Sequence, residues 1–179
     1  VFKSEAAMVL VNLANLHYTT QKFEQAGKKY AEALEIYRQL AKKNPEAFES
    51  KIATTVINMA SLYSDTQYLG QAKKEYNEAL EIYQHLAKKN PEVFESDVAM
   101  TLYNLAVLHQ KAQHLDLAEK KYTEALEIYR RLARKNPEAF ESRVANTLNN
   151  LALLHKNTQR FDLAIEELKE ALAIYNRMA

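Results

Sequence analysis

A segment reading Glu-Ala-Leu-Glu-Ile-Tyr, followed within a few residues by Leu-Ala-Lys-Lys-Asn-Pro-Glu, occupies Glu32–Glu46 and recurs at Glu78–Glu92. It returns with small changes at Glu124–Glu138 and once more, cut short, from Glu170 to Ala179. Successive copies lie 46 residues apart. A fixed period of this size means that one supersecondary unit, unable to bury its apolar face alone, is stacked on copies of itself. The expected organisation is a single array over residues 1–179, divided into repeats 1–44, 45–90, 91–136 and 137–179. Val1 and Phe2 match Ala47 and Phe48, so both ends fall inside the repeat and the chain reads as a fragment or an excised piece.

The unit is helical. With 2 Gly and 3 Pro, the composition argues against a sheet protein built on many tight turns. In the second unit Phe48, Ile52, Val56, Met59, Ala60 and Tyr63 recur at spacings of three and four, as do Ala72, Tyr76, Ala79, Leu80, Tyr83, Leu86 and Ala87. Each set is one apolar stripe of a helix. The polar stretch Ser64–Gln67 separates them, and so short a connection makes the two helices antiparallel. Each joint reads Asn-Pro-Glu, at Pro45, Pro91 and Pro137. Asn suits an N-cap, Pro the first helical position and Glu the first turn, while the preceding helix should end near Lys43, Lys89 and Lys135. Ser50 is a second candidate cap, and it favours a separate short turn at Pro45–Glu49 ahead of the main helix. Alanines repeat at 14, 60, 106 and 152, at 26, 72, 118 and 164, and at 33, 79, 125 and 171, marking close helix approaches.

Asn150-Leu151-Ala152, His155, Phe161, Ala164, Leu168 and Ala171-Leu172 resemble the tetratricopeptide repeat in spacing, as do their equivalents in the other three units. The resemblance implies an all-α, right-handed α-solenoid of four helix-turn-helix repeats. The usual period is about 34, so this unit carries about 12 extra residues, roughly 9 Å per helix if shared equally. It is similar to the longer kinesin-light-chain-type repeats. The proline usual at the end of the second helix is absent, with Arg38, Gln84, Arg130 and Asn176 there instead. The glycine usual in the turn is replaced by Gln21, Gln67, Gln113 and Gln159, for which a turn-closing hydrogen bond is the expectation.

In this family the first helices line the inner, concave groove, which binds an extended peptide or a partner helix. The candidate contact is an asparagine column, Asn12, Asn58, Asn104 and Asn150, mid-helix in every unit although Asn is a mediocre helix former. Its amide offers donors and an acceptor together, and similar asparagine ladders in tetratricopeptide proteins hold a ligand's backbone. The competing reading is that each Asn bonds across to the next repeat. Val11, Asn15, Ile57, Ser61, Met100, Tyr103, Val107, Asn146, Asn149 and Leu153 complete the candidate peptide-binding set. The carboxylate-clamp version of the fold needs Lys or Arg at Val11, Met100 and Asn104, or at Ile57, Asn146 and Asn150; none is basic, and that version is excluded.

Net charge is +1 with no basic stripe, which argues against nucleic acid. No run has the length of a membrane span. Without cysteine, signal peptide or such a span the compartment is unknown, with the cytoplasm favoured. No phosphate loop, catalytic constellation, metal set or cofactor motif is found, so an enzyme is not expected. His17, His109 and His155 occupy the place of Tyr63 and read as packing residues. The alternative function is a structural or engineered array with no evolved ligand, whose uncapped ends associate end to end.

Overall fold

A computed structural model describes residues 2–178; the matches of Val1 and Ala179 to the repeat lie outside the described residues. Every element in them is helical: α1 (Phe2–Thr19), α2 (Phe23–Ala41), α3 (Pro45–Asp65), α4 (Leu69–Lys89), α5 (Pro91–Lys111), α6 (Leu115–Lys135), α7 (Pro137–Asn157) and α8 (Phe161–Met178). The fold class is an α-solenoid of helix-hairpin repeats, and no strand occurs among the described residues. The chain divides between Pro91 and Glu92 into two compact units of two hairpins each.

The joints follow the residues that mark them. Asn44 and Asn136 have extended backbones (φ −145° and −142°), as the following proline demands. Each side-chain Oδ1 accepts from the backbone N–H three residues on, Ala47 or Ala139, at 3.3 Å. Asn136 both closes α6 and caps α7, so one residue turns the chain between two helices. The separate turn at Pro45–Glu49 does not exist. The helix begins at Pro45, because Asn44 and Pro45 satisfy its first turn together, and the Ser50 carbonyl is already inside it, accepting from Thr54 at 2.9 Å.

The turn glutamines have a different role from the one expected. Gln21, Gln67, Gln113 and Gln159 all hold φ near +60° (59°, 66°, 60° and 60°). Around Gln21 the backbone N–H of Lys22 reaches His17 O at 2.8 Å and that of Gln21 reaches Tyr18 O at 2.9 Å. This is the Schellman closure of a helix end, and it recurs after α3, α5 and α7. The closing bonds come from the backbone, and the glutamine side chains are exposed.

Within the first unit α3 packs on both α2 and α4, and within the second α7 packs on both α6 and α8. A helix covered on two sides must be apolar on both, which is why α3 buries Ile52, Val56, Ala60 and Leu62 around its circumference. All twelve alanines of the three repeated columns are buried. Thr55 and Thr147 fill tight sites between helices and stay satisfied by donating to carbonyls one turn back, at 2.7 Å each.

Candidate peptide-binding face

The first helices present the candidate residues at graded depth. Asn12 is exposed, and Asn58, Asn104 and Asn150 are half-buried. Asn146, Asn149 and Leu153 are exposed; Val11, Asn15, Ser61, Met100, Tyr103 and Val107 are half-buried. Ile57 is buried, beneath the face rather than on it.

Two of the four column amides already have protein partners. In the first unit the Asn58 Nδ2 donates to Asn15 Oδ1 at 3.4 Å. That same oxygen accepts the Tyr30 hydroxyl at 2.6 Å, so it holds the second helix of one repeat and the first helix of the next. In the second unit Asn150 Nδ2 donates to the Tyr103 hydroxyl at 2.5 Å. Among the described residues Asn12 and Asn104 make no side-chain hydrogen bond, and the Oδ1 atoms of Asn58 and Asn150 accept none. Cross-repeat pairing is therefore real for two amides, and each keeps its acceptor.

Tyrosines from the second helices reach through to this face. Tyr76 shares a hydrogen bond with Ser61 at 2.9 Å, Tyr122 donates to Gln110 Oε1 at 3.0 Å, and Tyr175 donates to Asn146 Oδ1 at 2.7 Å. Tyr103 meets Tyr122 edge-on, 5.5 Å between centroids. Tyr18 donates to Asp65 of the next repeat. Burial raises the phenols of Tyr30, Tyr76, Tyr103 and Tyr122, and burial with the Asp65 carboxylate raises that of Tyr18, so all remain protonated donors at neutral pH. Met100 lies on the rim of a cavity of about 210 Å³ shared with Asp97, Tyr129, Phe140 and Arg143. Burial pushes Tyr129 there up to about 12 and raises the Asp97 carboxyl.

The histidine column contains more than packing. His155 is buried between two carboxylates, Nδ1 2.8 Å from Glu167 and Nε2 3.2 Å from Glu119. Arg160 grips Glu119 with two bonds, at 2.9 and 2.5 Å, and holds its carboxyl below the ordinary range. Burial raises Glu167. The sequence signal was a departure from the repeat: Glu119 stands where the other units have Gly27, Lys73 and Ile165. Among the described residues no group of three His, Asp or Glu side chains is arranged to hold a metal ion.

Tetratricopeptide-repeat family models match residues 6–46, 53–85 and 97–177. The chain belongs to the tetratricopeptide repeat family. Its class is that of protein-interaction repeat scaffolds. Among solved structures, this tetratricopeptide chain is similar to BtubC (BKLC) from P. vanneervenii at 25% identity and TM-score 0.79, over 96% of this chain and 64% of that one. It is also similar to the apo form of RapI (18% identity, TM-score 0.78, 97% of this chain and 57% of that one). Aspartyl phosphate phosphatase F from Bacillus subtilis is a third (16% identity, TM-score 0.80, 98% of this chain and 42% of that one). The last two likenesses are of fold alone. The tetratricopeptide chain thus spans less than two thirds of the length of each of these proteins. No curated protein matches it.

Proposed function

We propose that the chain binds extended segments of a partner protein along the first-helix faces of each unit, with Asn12 and Asn58 in one unit and Asn104 and Asn150 in the other pairing the partner's backbone. The reading rests on one observation: all four amides reach solvent, and each retains an acceptor with no partner among the described residues. A mid-helix Asn is worse than Ala by about 0.6 kcal/mol, and a peptide N–H donated to that free oxygen offsets this with about 1 kcal/mol net. Backbone pairing would be tolerant of sequence. Selectivity would come from the variable neighbours, above all Met100 and the cavity beside it, where Tyr129 and Phe140 stand with the charged Asp97 and Arg143. The candidate contact residues carry no charge, so affinity should respond weakly to salt.

Selection of peptides from a display library tests this. Each selected peptide is titrated against the wild type, Asn58→Ala and Asn104→Ala, with thermal unfolding confirming that the variants fold. Loss of one such bond corresponds to about fivefold weaker binding. Unchanged affinity of every peptide for both variants would remove the asparagine column from the function.

A further inference from the structure

The first unit of the chain shows what kind of group suits the cavity beside Met100. There Lys51 of α3 lies over an aromatic pair: its Nζ stands 5.2 Å from the centroid of Phe48 and 5.9 Å from that of Tyr37, and it donates to Ser4 Oγ at 3.4 Å. Two repeat periods carry Tyr37, Phe48 and Ser4 to Tyr129, Phe140 and Ser96, all of which line the third-repeat cavity of about 210 Å³. They carry Lys51 to Arg143, which lines the cavity too but is exposed and lies over neither ring. Where the first unit has a cation against its rings, the second has an open cavity. The polar groups around it are unused. Among the described residues the Asp97 carboxylate accepts no hydrogen bond and forms no ion pair, although burial disfavours its charge. The Tyr129 hydroxyl makes no hydrogen bond either. Its counterparts Tyr83 and Tyr175 bond Thr54 and Asn146, but the residue at that place here is Met100. Tyr37, whose counterpart residue is Met8, also lacks such a bond, and it is the tyrosine that Lys51 covers.

We infer that this cavity is a cage for one lysine side chain of a bound segment, with the ammonium between the Tyr129 and Phe140 rings and paired to the Asp97 carboxylate, and the Met100 thioether against the methylene stem. A lysine carried by a bound segment presupposes the first-helix reading of function; the cage chemistry does not. The three N–H donors of an ammonium match what the cavity offers: a carboxylate, a phenol oxygen and aromatic faces that attract a cation. A cation beside Asp97 also compensates the charge that burial disfavours. Lysine suits the site better than arginine because its charge is compact, as Lys51 on the equivalent rings illustrates, whereas a planar guanidinium calls for a fork of acceptors. Arg143 opposes the ligand by like charge and stays turned to solvent. The pair is partly buried, so moderate sodium chloride screens it little.

Nuclear magnetic resonance of the isotope-labelled chain tests this with N-acetyl-lysine N-methylamide and its norleucine analogue, which keeps the stem and drops the charge. The lysine compound should shift the backbone amides of Asp97, Met100 and Phe140 saturably, and the norleucine compound should not. Asp97→Asn should weaken the lysine compound about tenfold, and Phe140→Leu about two- to fivefold. Arg143→Gln should tighten it, because a like charge is removed. The unperturbed remainder of each amide spectrum shows that the variants fold. Equal responses to the two compounds, or an unchanged lysine titration in Asp97→Asn, overturn the inference. Weaker binding in Arg143→Gln also overturns it, since the cavity would then take an anion. Asn104→Ala separates this cage from the asparagine column: it should leave the lysine titration unchanged while weakening peptides, so that either can fail with the other standing.

Discussion

Replacing Gln67 by glycine should stabilise the protein, and the reason lies entirely in the backbone. Gln67 sits at φ 66°, and an L-residue with a Cβ in the left-handed region costs about 1–2 kcal/mol. Glycine removes that cost, while its freer unfolded chain returns about 0.5–1 kcal/mol of it. The Gln67 side chain is exposed and makes no hydrogen bond among the described residues, so nothing else is lost. The net gain should be about 0.5–1 kcal/mol, which in a chain of this size raises the melting temperature by about 1–4 °C. Gln67→Ala is the control: it removes the same side chain but keeps the Cβ, and should leave stability within about 0.5 kcal/mol of the wild type. Gln159, in the other unit, holds φ 60° and shares no hydrogen-bond partner with Gln67 among the described residues, so its gain should add. Thermal and urea unfolding followed by circular dichroism measure all four proteins, with an unchanged urea slope showing that only stability has moved. If the glycine and alanine variants cannot be told apart, or glycine destabilises, the conformational argument is wrong.

Other consequences are as direct. Ala60 is fully buried between helices, so Ala60→Leu should cost about 1–3 kcal/mol by overpacking, whereas Ala31→Leu on an exposed face should be neutral in the same melt. Asn136→Ala removes the acceptor for Ala139 N–H and should cost about 1 kcal/mol, read from the urea midpoint. Glu119→Gln breaks a charged clasp on Arg160 and the buried His155 in which Glu119 and Arg160 are partly solvated, and should cost about 1 kcal/mol at neutral pH. The sign follows from Arg160, which lowers the Glu119 carboxyl in the folded state. The clasp's contribution is complete above the unfolded carboxylate value of about 4.3 and disappears as pH falls through the lower folded value. Stability measured against pH should therefore show the wild type and Glu119→Gln converging only in acid.

Much of the architecture was legible because it is written several times. A single apolar stripe is ambiguous, but the three alanine columns repeat at every 46-residue step, and all twelve residues are buried. The helix joints were legible because Asn-Pro-Glu has one good use. Ser50 misled because it is equally able to cap, and the choice went to the residue whose neighbour, Pro45, fits the first turn. The left-handed glutamines were invisible because nothing in a glutamine side chain encodes positive φ; the surrounding closure imposes it. The His155 clasp was visible only as a break in the repeat, since His155 comes from α7, Glu119 from α6, Arg160 from the turn between α7 and α8, and Glu167 from α8. The Asn58–Asn15 and Asn150–Tyr103 bonds depend on how far apart adjacent first helices stand, which periodicity does not specify.

The tyrosine column shows how the core restricts the candidate binding face. Tyr30, Tyr76 and Tyr122 are buried at equivalent places, and a buried phenol needs a partner for its hydroxyl. Tyr30 uses Asn15 and Tyr76 uses Ser61, which are themselves equivalent. In the third repeat that place is Val107, and Tyr122 turns to Gln110, one helical turn along. In the fourth repeat Leu168 replaces the tyrosine and Leu153 stands opposite, so no acceptor is required. Polar residues on the first-helix faces are thus partly there to satisfy the core. Gln110→Leu should strand the Tyr122 hydroxyl and cost about 1–3 kcal/mol. Adding Tyr122→Phe should recover most of that loss, because removing both partners leaves no buried polar group unpaired. The double-mutant cycle by urea unfolding decides the matter. Costs that simply add would mean that the hydroxyl does not need Gln110, and Gln110 would then be free for a ligand.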